Sequence, residues 1–281
     1  MKTFLFSLFI FVLINFNSVS LKTENKVPKI LHQVFDSVKS LKTLQYKVLS
    51  VERTTKIFSA SSCLVKMQMH PFKVYFHNPA KKIEILYNPN LSEHKALVKS
   101  NNVFNIYIML DPNGSLMRKN QHYTIFELGF DFIGKTIALI IGKDKSGINN
   151  ISYHGKCVKN GYSCYLLEYE NPNFDFEDYI VGKKETVNLI AYKLNVNEHI
   201  VRYKNKLMND FSYLKEGEVI KVPNLFCKKA VLYIDEKSML PVSASLFDDE
   251  GLYESYDFID IQTNTHLTED DFNKNNKEYH F

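Results

Sequence analysis

Eleven short runs in which apolar and polar residues alternate constrain this chain more than any other feature. They lie at 44–54, 60–69, 72–78 (FKVYFHN), 83–87 (IEILY), 95–99, 104–109 (FNIYIM), 151–157, 162–169, 229–235 (KAVLYID), 240–248 and 252–261. A period of two puts alternate side chains on opposite faces of a strand, and the separators carry the Asn, Pro, Gly or Lys that turn a chain. Asn160-Gly161 and Asp248-Asp249-Glu250-Gly251 are the tightest of these turns. Strands this short, joined this briefly, predict sequential antiparallel pairing.

Two segments break the period. Ile30, Leu31, Val34, Phe35 and Val38 recur at helical spacing and predict an amphipathic helix over 28–40. After a turn at 110–117 (LDPNGSLM), Ile125, Leu128, Phe132, Ile133, Ile137, Ile140 and Ile141 share one face of a long, very apolar second helix. Many meandering strands and two such helices predict an α+β fold, a curved, half-open antiparallel β-barrel of about eleven strands with its concave face covered by helix.

One stretch does not belong to this pattern. From Tyr179 to Pro223 the chain reads as strand, helix, helix, strand, inserted between the eighth and ninth barrel strands. Thr186 is placed to cap the first helix, Ile190 and Leu194 face inward four residues apart, Gly217 permits a turn and Pro223 ends the last strand. The ordered set Tyr179, Val181, Glu185, Thr186, Ile190, Ala191, Val196, Asn205, Leu214, Gly217, Ile220, Val222 and Pro223 resembles a LysM domain, the βααβ carbohydrate-binding module. The resemblance implies a glycan site on the two loops at Lys184, Glu185, Thr186 and Lys206, Leu207, Met208, with peptidoglycan as partner. Lys184 stands where that family usually has glycine, and Val187 where it has a larger apolar residue.

The flanking chain resembles the bacterial family called domain of unknown function 1571. The stretches that carry it are VYFHNPAKKIEILYNPN, IMLDPNGSLMRKNQHYTI, LYIDEKSMLPVSASLFDDEGLYESYDF and NKEYHF. The resemblance implies the architecture of the periplasmic lipoprotein carriers, a half-open barrel with a helical lid. It does not carry their activity with it.

Lys2, the apolar run from Phe4 to Ile14 and the small residues of Ser18-Val19-Ser20 read as a cleaved secretory signal peptide over 1–20. The apolar run is too short to cross a bilayer comfortably. The expected organisation is therefore a signal at 1–20, a half-barrel from 21–178 and 224–281, and a module at 179–223, in a periplasmic or secreted protein. The net charge of +4 becomes +3 without Lys2, too mild for a nucleic-acid partner. Eleven acids face one Lys between Asp235 and Asp271, which reads as a solvated strand face.

An exported chain permits disulfides. The Asn-Gly turn sets Cys157 opposite Cys164 and makes a bridge possible, though at a hydrogen-bonded pair, where the Cα atoms stand farther apart. Cys63 and Cys227 read as buried thiols, and no Cys-x-x-Cys suggests a metal. There is no Gly-x-Ser-x-Gly and no His-Glu-x-x-His; His70 and His77 fall on opposite strand faces, so no enzyme and no cofactor are expected.

The reading that results is an exported cell-envelope binding protein. Phe72, Val74, Phe76, Ile106 and Ile108, with Phe132 and Ile137 from the lid helix, would line a cavity for an acyl chain of a lipid or lipoprotein, or for another hydrophobic ligand. The alternative is a non-binding envelope scaffold whose barrel has a dry core and whose module is a degenerate brace.

Overall fold

The computed structural model describes residues 26–54, 56–91, 93–100 and 107–281. The signal segment and Ile106 lie outside the described residues. Within them run helices α1 (Lys26–Lys39), α2 (Ser115–Arg118), α3 (Phe130–Lys143), α4 (Val187–Leu194) and α5 (Glu198–Lys204). The strands are β1 (Thr43–Arg53), β2 (Phe58–Gln68), β3 (Lys73–Asn78), β4 (Ile83–Tyr87), β5 (Ala96–Ser100), β6 (Tyr107–Leu110), β7 (Ile151–Lys159), β8 (Tyr162–Glu170), β9 (Phe176–Ile180), β10 (Val219–Pro223), β11 (Lys229–Asp235), β12 (Pro241–Asp248) and β13 (Gly251–Thr263).

All strands except β9 and β10 form one sheet, in the order β6-β5-β4-β3-β2-β1-β13-β12-β11-β8-β7. Each neighbouring pair is antiparallel. The first strand pairs with the last, so two meanders meet in mid-sheet, while β6 and β7 remain edges and leave the barrel unclosed. Irregular registers in β1 at Gln45/Lys47 and in β7 at Tyr153/Lys156, the latter beside Gly155 at φ +95°, help to curve it. The core lies between the concave face and the two long helices: Val34 and Val38 of α1, and Phe130 and Ile137 of α3, bury against Leu44, Tyr46, Val65 and Met67.

The apolar run after residue 124 is not one continuous helix. Thr124 and Glu127 close a capping box around a 3-10 turn (Ile125–Glu127), and α3 starts only at Phe130. The break falls at Gly129, with φ +80° and a position where a Cβ would meet Met67 Sδ at 3.0 Å. Only glycine supplies both the left-handed turn and the close approach.

Residues after β13 cover the opposite face of the sheet. Tyr75, Leu86 and Leu97 alternate with residues of the concave face and bury against Phe272 and Tyr279, with the Tyr75 and Tyr279 rings stacked 3.6 Å apart. Lys66 donates to Asp271 at 2.9 Å and fixes this strap to β2.

Between β8 and β11, β9 and β10 pair with each other and with no other strand among the described residues, and α4 and α5 lie between them. The first strand of this unit begins at Phe176, three residues before the Tyr179 at which the sequence places its start. Thr186 caps α4 by accepting the Leu189 N–H, and Asn197 caps α5 by accepting from His199 and Ile200. The unit has its own core of Val181, Val187, Ile190, Ala191, Val196, Val201, Ile220 and Val222. Lys184 adopts φ +57° here. This left-handed backbone disfavours a side chain and explains why glycine suits the position. Replacing Lys184 with glycine is therefore expected to raise thermal stability by up to about 1 kcal/mol, read as a higher Tm; an unchanged or lower Tm would contradict the strain.

Candidate functional site

A cavity of about 450 Å³ lies between the concave face and the segment from Leu110 to Ile140. Its floor is written in register across β2, β1 and β13. Val48 stands between Cys63 and Phe258, Ser50 between Ser61 and Tyr256, and Glu52 between Ser59 and Glu254. Because alternate residues of β1 face the same side, the sequence Tyr46, Val48, Ser50, Glu52 becomes a surface that grades from apolar to polar along the strand. On the helical side Ile133, Ile137 and Ile140 continue the apolar wall. Thr136 is also in that wall, and its Oγ1 is buried without a hydrogen-bond partner. The lining residues exposed to solvent are Lys81, Leu116, Lys119, Asn120 and Gln121, which mark the mouth near the polar end.

The polar end is hydrogen-bonded. Tyr256 donates to Glu52 at 2.7 Å, Asn78 donates to Ser61 at 2.7 Å, and the Ser61 hydroxyl lies 3.3 Å from Cys63 Sγ. Burial raises the Cys63 thiol, and Lys81 and Glu52 both act on it electrostatically, with opposite signs. Glu254, 1% exposed, accepts from His122 Nδ1 at 2.6 Å and from the Tyr123 hydroxyl at 2.5 Å. Burial works against a charge on His122, yet Glu254 overrides it and the imidazole titrates above its ordinary value.

Behind the cavity wall from Arg118 to Tyr123 sits the βααβ unit. The His199 ring of α5 lies 3.7 Å from the His122 ring, and both of its nitrogens are buried and unpartnered. Burial depresses its basicity well below the ordinary value, and His122, Arg202, Arg118 and Arg53 add to the effect. Arg118 bonds Glu198 at 2.5 Å, Asn197 reaches Tyr123 at 3.4 Å, and the Asn120 and Asn209 side chains meet at 3.1 Å. On the other flank the acidic turn between β12 and β13 holds the same unit. Lys204 bonds Asp249 at 2.7 Å, Tyr203 bonds Glu250 at 2.9 Å, and Asp248 pairs with the buried Arg53. That acidic cluster, which reads from the sequence as a tight turn within a solvated strand face, is a clasp.

Of the residues expected to line the cavity, Phe76, Phe132 and Ile137 do so. Val74 is fully buried in the dry core, and Phe72 precedes β3 and packs on Tyr87 and Phe126 instead. Ile108 sits on the edge strand β6, half exposed at 51%. The floor residues of β1, β2 and β13 carry the same alternating signal and are the ones that converge.

The residues expected to hold a glycan are partly committed elsewhere. Glu185 accepts from the Gly182 N–H at 2.8 Å and from the Tyr179 hydroxyl, Thr186 caps α4, and Leu207 packs on the unit's own core. Lys184 and Lys206 are exposed, and Met208 is half-buried. Cys157 and Cys164 stand in direct register, as the turn predicts, but both are free thiols. A hydrogen-bonded pair holds its Cα atoms farther apart than a non-hydrogen-bonded one, and Cys164 is buried with its thiol pushed up to about 11 by burial.

A family model described as a protein of unknown function (DUF1571) matches residues 44–186 and 196–281, leaving out within that span only the stretch containing α4. No curated protein matches the chain. Among solved structures, the lipoprotein LppX of Mycobacterium tuberculosis is 14% identical over 86% of this chain and 99% of that one, with a TM-score of 0.40. LprF of Mycobacterium bovis is 10% identical, covers 86% of this chain and 95% of that one, and has a TM-score of 0.42. A putative outer membrane lipoprotein-sorting protein domain from Vibrio parahaemolyticus is 11% identical, covers 88% and 96%, and has a TM-score of 0.29.

Proposed function

The chain belongs to the DUF1571 family of proteins of unknown function, and from that premise we propose that it is an exported cell-envelope protein that holds a hydrophobic chain in its half-barrel. The observation that carries this reading is the cavity of about 450 Å³ under α3, in the lower part of the ~300–1,000 Å³ range of small-molecule sites. A dry core packed to the usual density would leave no such space, which weighs against the purely scaffolding alternative. Each methylene moved from water into the apolar end would contribute roughly 0.8 kcal/mol, enough for one fatty chain to bind firmly. An acyl chain of a lipid or of a lipoprotein meets that requirement equally. The Lys2-led apolar run and the small residues at Ser18 and Ser20 support the location.

For the βααβ unit the brace reading is better supported than peptidoglycan recognition. Its α5 is shared between two cores: Val201 enters the unit's own, while Ile200 packs with Tyr169, Phe226, Leu246 and Tyr253 of the half-barrel side. Two of its candidate glycan residues, Glu185 and Thr186, already satisfy the unit's own backbone.

The test is to fill the cavity. Ala244 of β12 lines it and is nearly buried. Ala244→Trp should weaken displacement of the neutral dye N-phenyl-1-naphthylamine by long-chain fatty alcohol at least tenfold, with circular dichroism confirming an intact fold. Unchanged displacement by a folded variant would refute the cavity as the binding site.

A further inference from the structure

Resting on that reading of the cavity, we infer that the ligand is a single-chain amphiphile with an uncharged, hydroxyl-bearing head, bound with its head at the Ser50–Glu52 end and its tail under α3. The argument starts from the three rows of the floor. Moving along β1, the flanking pair changes from Cys63 and Phe258 to Ser61 and Tyr256, then to Ser59 and Glu254. The neighbouring floor further round stays apolar, since Ala244, Leu246 and Leu232 occupy the lining positions of β12 and β11. The polarity is therefore confined to one corner, beside the exposed residues of the mouth. A pure hydrocarbon would leave this corner unused and would strip water from its hydroxyls without replacing their hydrogen bonds, which costs free energy. An amphiphile inserted tail-first matches both ends.

The chemistry of the corner selects the head. Ser50 and Ser59 offer hydroxyls that can donate or accept, and Glu52 offers acceptor oxygens. Glu254 is already matched by His122 and Tyr123, so it adds little uncompensated charge. A phosphate or carboxylate set against Ser50 would lie beside the Glu52 carboxylate, one pleat along the same strand face. Lys81 and Lys119 also line the cavity and would repel an ammonium bound there. Charges of both signs around one small corner disfavour a charged head of either sign, whereas hydroxyl groups satisfy donors and acceptors alike. A second, independent feature points the same way. Thr136, 8% exposed, stands in the cavity wall on α3 and carries a buried, unpartnered hydroxyl. It stands one helical turn from Phe132, whose ring packs on Tyr123 at 4.6 Å. A buried hydroxyl without a partner is uncommon in a finished structure, and a polar atom at the junction of head and tail would supply one.

The experiment measures displacement of N-phenyl-1-naphthylamine from the full mature chain by four molecules of equal chain length: 1-monooleoylglycerol, oleate, oleyl phosphate and oleylamine. The hydrocarbon 1-octadecene serves as a headless reference. The inference expects monooleoylglycerol to compete at least tenfold better than each charged chain. The double variant Ser50→Val/Glu52→Leu should reduce that preference to less than threefold without weakening octadecene. Thr136→Val, which keeps the side-chain shape, should weaken monooleoylglycerol about threefold to tenfold and leave octadecene unchanged. Equal competition by a charged chain, or a head preference that survives the double variant, would overturn the inference while leaving the cavity reading intact. Failure of every chain to compete, octadecene included, would overturn both.

Discussion

Glu254→Leu is expected to lower the free energy of unfolding by about 3–5 kcal/mol, the cost of leaving a buried ionic partner alone. Three side chains converge on this one carboxylate: His122 Nδ1 at 2.6 Å, the Tyr123 hydroxyl at 2.5 Å and the Tyr256 hydroxyl at 3.4 Å. Leucine keeps much of the volume but removes every acceptor. His122 loses the group that holds its proton, the Tyr123 phenol loses its carboxylate acceptor and keeps only the Asn197 amide that donates to it, and Tyr256 keeps only Glu52. Each stranded group adds its own desolvation penalty. Urea denaturation at neutral pH is the measurement, with a lower midpoint and an unchanged slope as the expected result. Glu52→Gln provides the contrast, because Glu52 is only half-buried, and it should cost about 1 kcal/mol or less. A Glu254→Leu cost no larger than that of Glu52→Gln would show that the network is not what holds the Arg118–Tyr123 wall in place.

The sheet was largely legible because its signals are local. Alternation and turn residues mark β4 at 83–87 and β11 at 229–235 to the residue, since each strand buries one face and its ends carry Asn, Lys or Gly. The turn at Asn160-Gly161 likewise fixes Cys157 opposite Cys164. Whether those sulfurs join is a separate matter, decided by pair geometry and burial. The apolar stretch after residue 124 shows where locality fails: its periodicity continues through Gly129, but the Thr124–Glu127 capping box and the approach of Met67 end one turn and start another. Tertiary contact overrode the pattern there.

The cavity was legible in kind and only partly in position, through Phe76, Phe132 and Ile137. Phe72, Val74 and Ile108 have the right chemistry. Which strands face the open space, however, depends on the mid-sheet pair β1–β13, and that joins residues more than 200 apart in sequence. No spacing rule contains that information. The same holds for the two histidines that matter: His122 and His199 sit in polar, unremarkable stretches, and only the docking of α5 brings their rings into contact. The acidic turn at Asp248–Glu250 has good local reasons to be a turn, and those reasons mask its second role as the anchor for Arg53, Lys204 and Tyr203.

Mild acid is expected to loosen that docking, and His199→Phe should remove the effect. In the folded chain His199 is buried among His122 and Tyr253 on one side and Arg53, Arg118 and Arg202 on the others, with Glu254 and Glu198 already engaged by His122 and by the two arginines. Its folded-state pKa is depressed, so the proton prefers the state in which the ring is free. Stability from this group is therefore complete above the ordinary imidazole value and falls as pH drops below it. Between pH 6.5 and pH 5 the loss can reach about 2 kcal/mol, at 1.36 kcal/mol per unit. His122 does not offset this loss. Its folded-state value is raised, so its contribution is full below the ordinary value and fades only as pH rises past the raised one. Glu127, raised by burial, pulls the other way in acid, so the decisive quantity is the difference between wild type and variant. Phenylalanine preserves the tilted ring contacts with His122 and Tyr253 and sacrifices no hydrogen bond, because neither His199 nitrogen makes one. Denaturation midpoints measured from pH 5 to pH 8 should converge at the alkaline end and separate in acid, with the variant the more stable. Parallel curves would mean that His199 does not sense protons. A variant that is less stable at every pH would mean that the imidazole makes a contact phenylalanine cannot replace. Because Arg118, Asn120 and Tyr123 line or back the cavity wall and also hold α5 or its following loop, loss of docking in acid should also raise the rate at which a bound chain leaves.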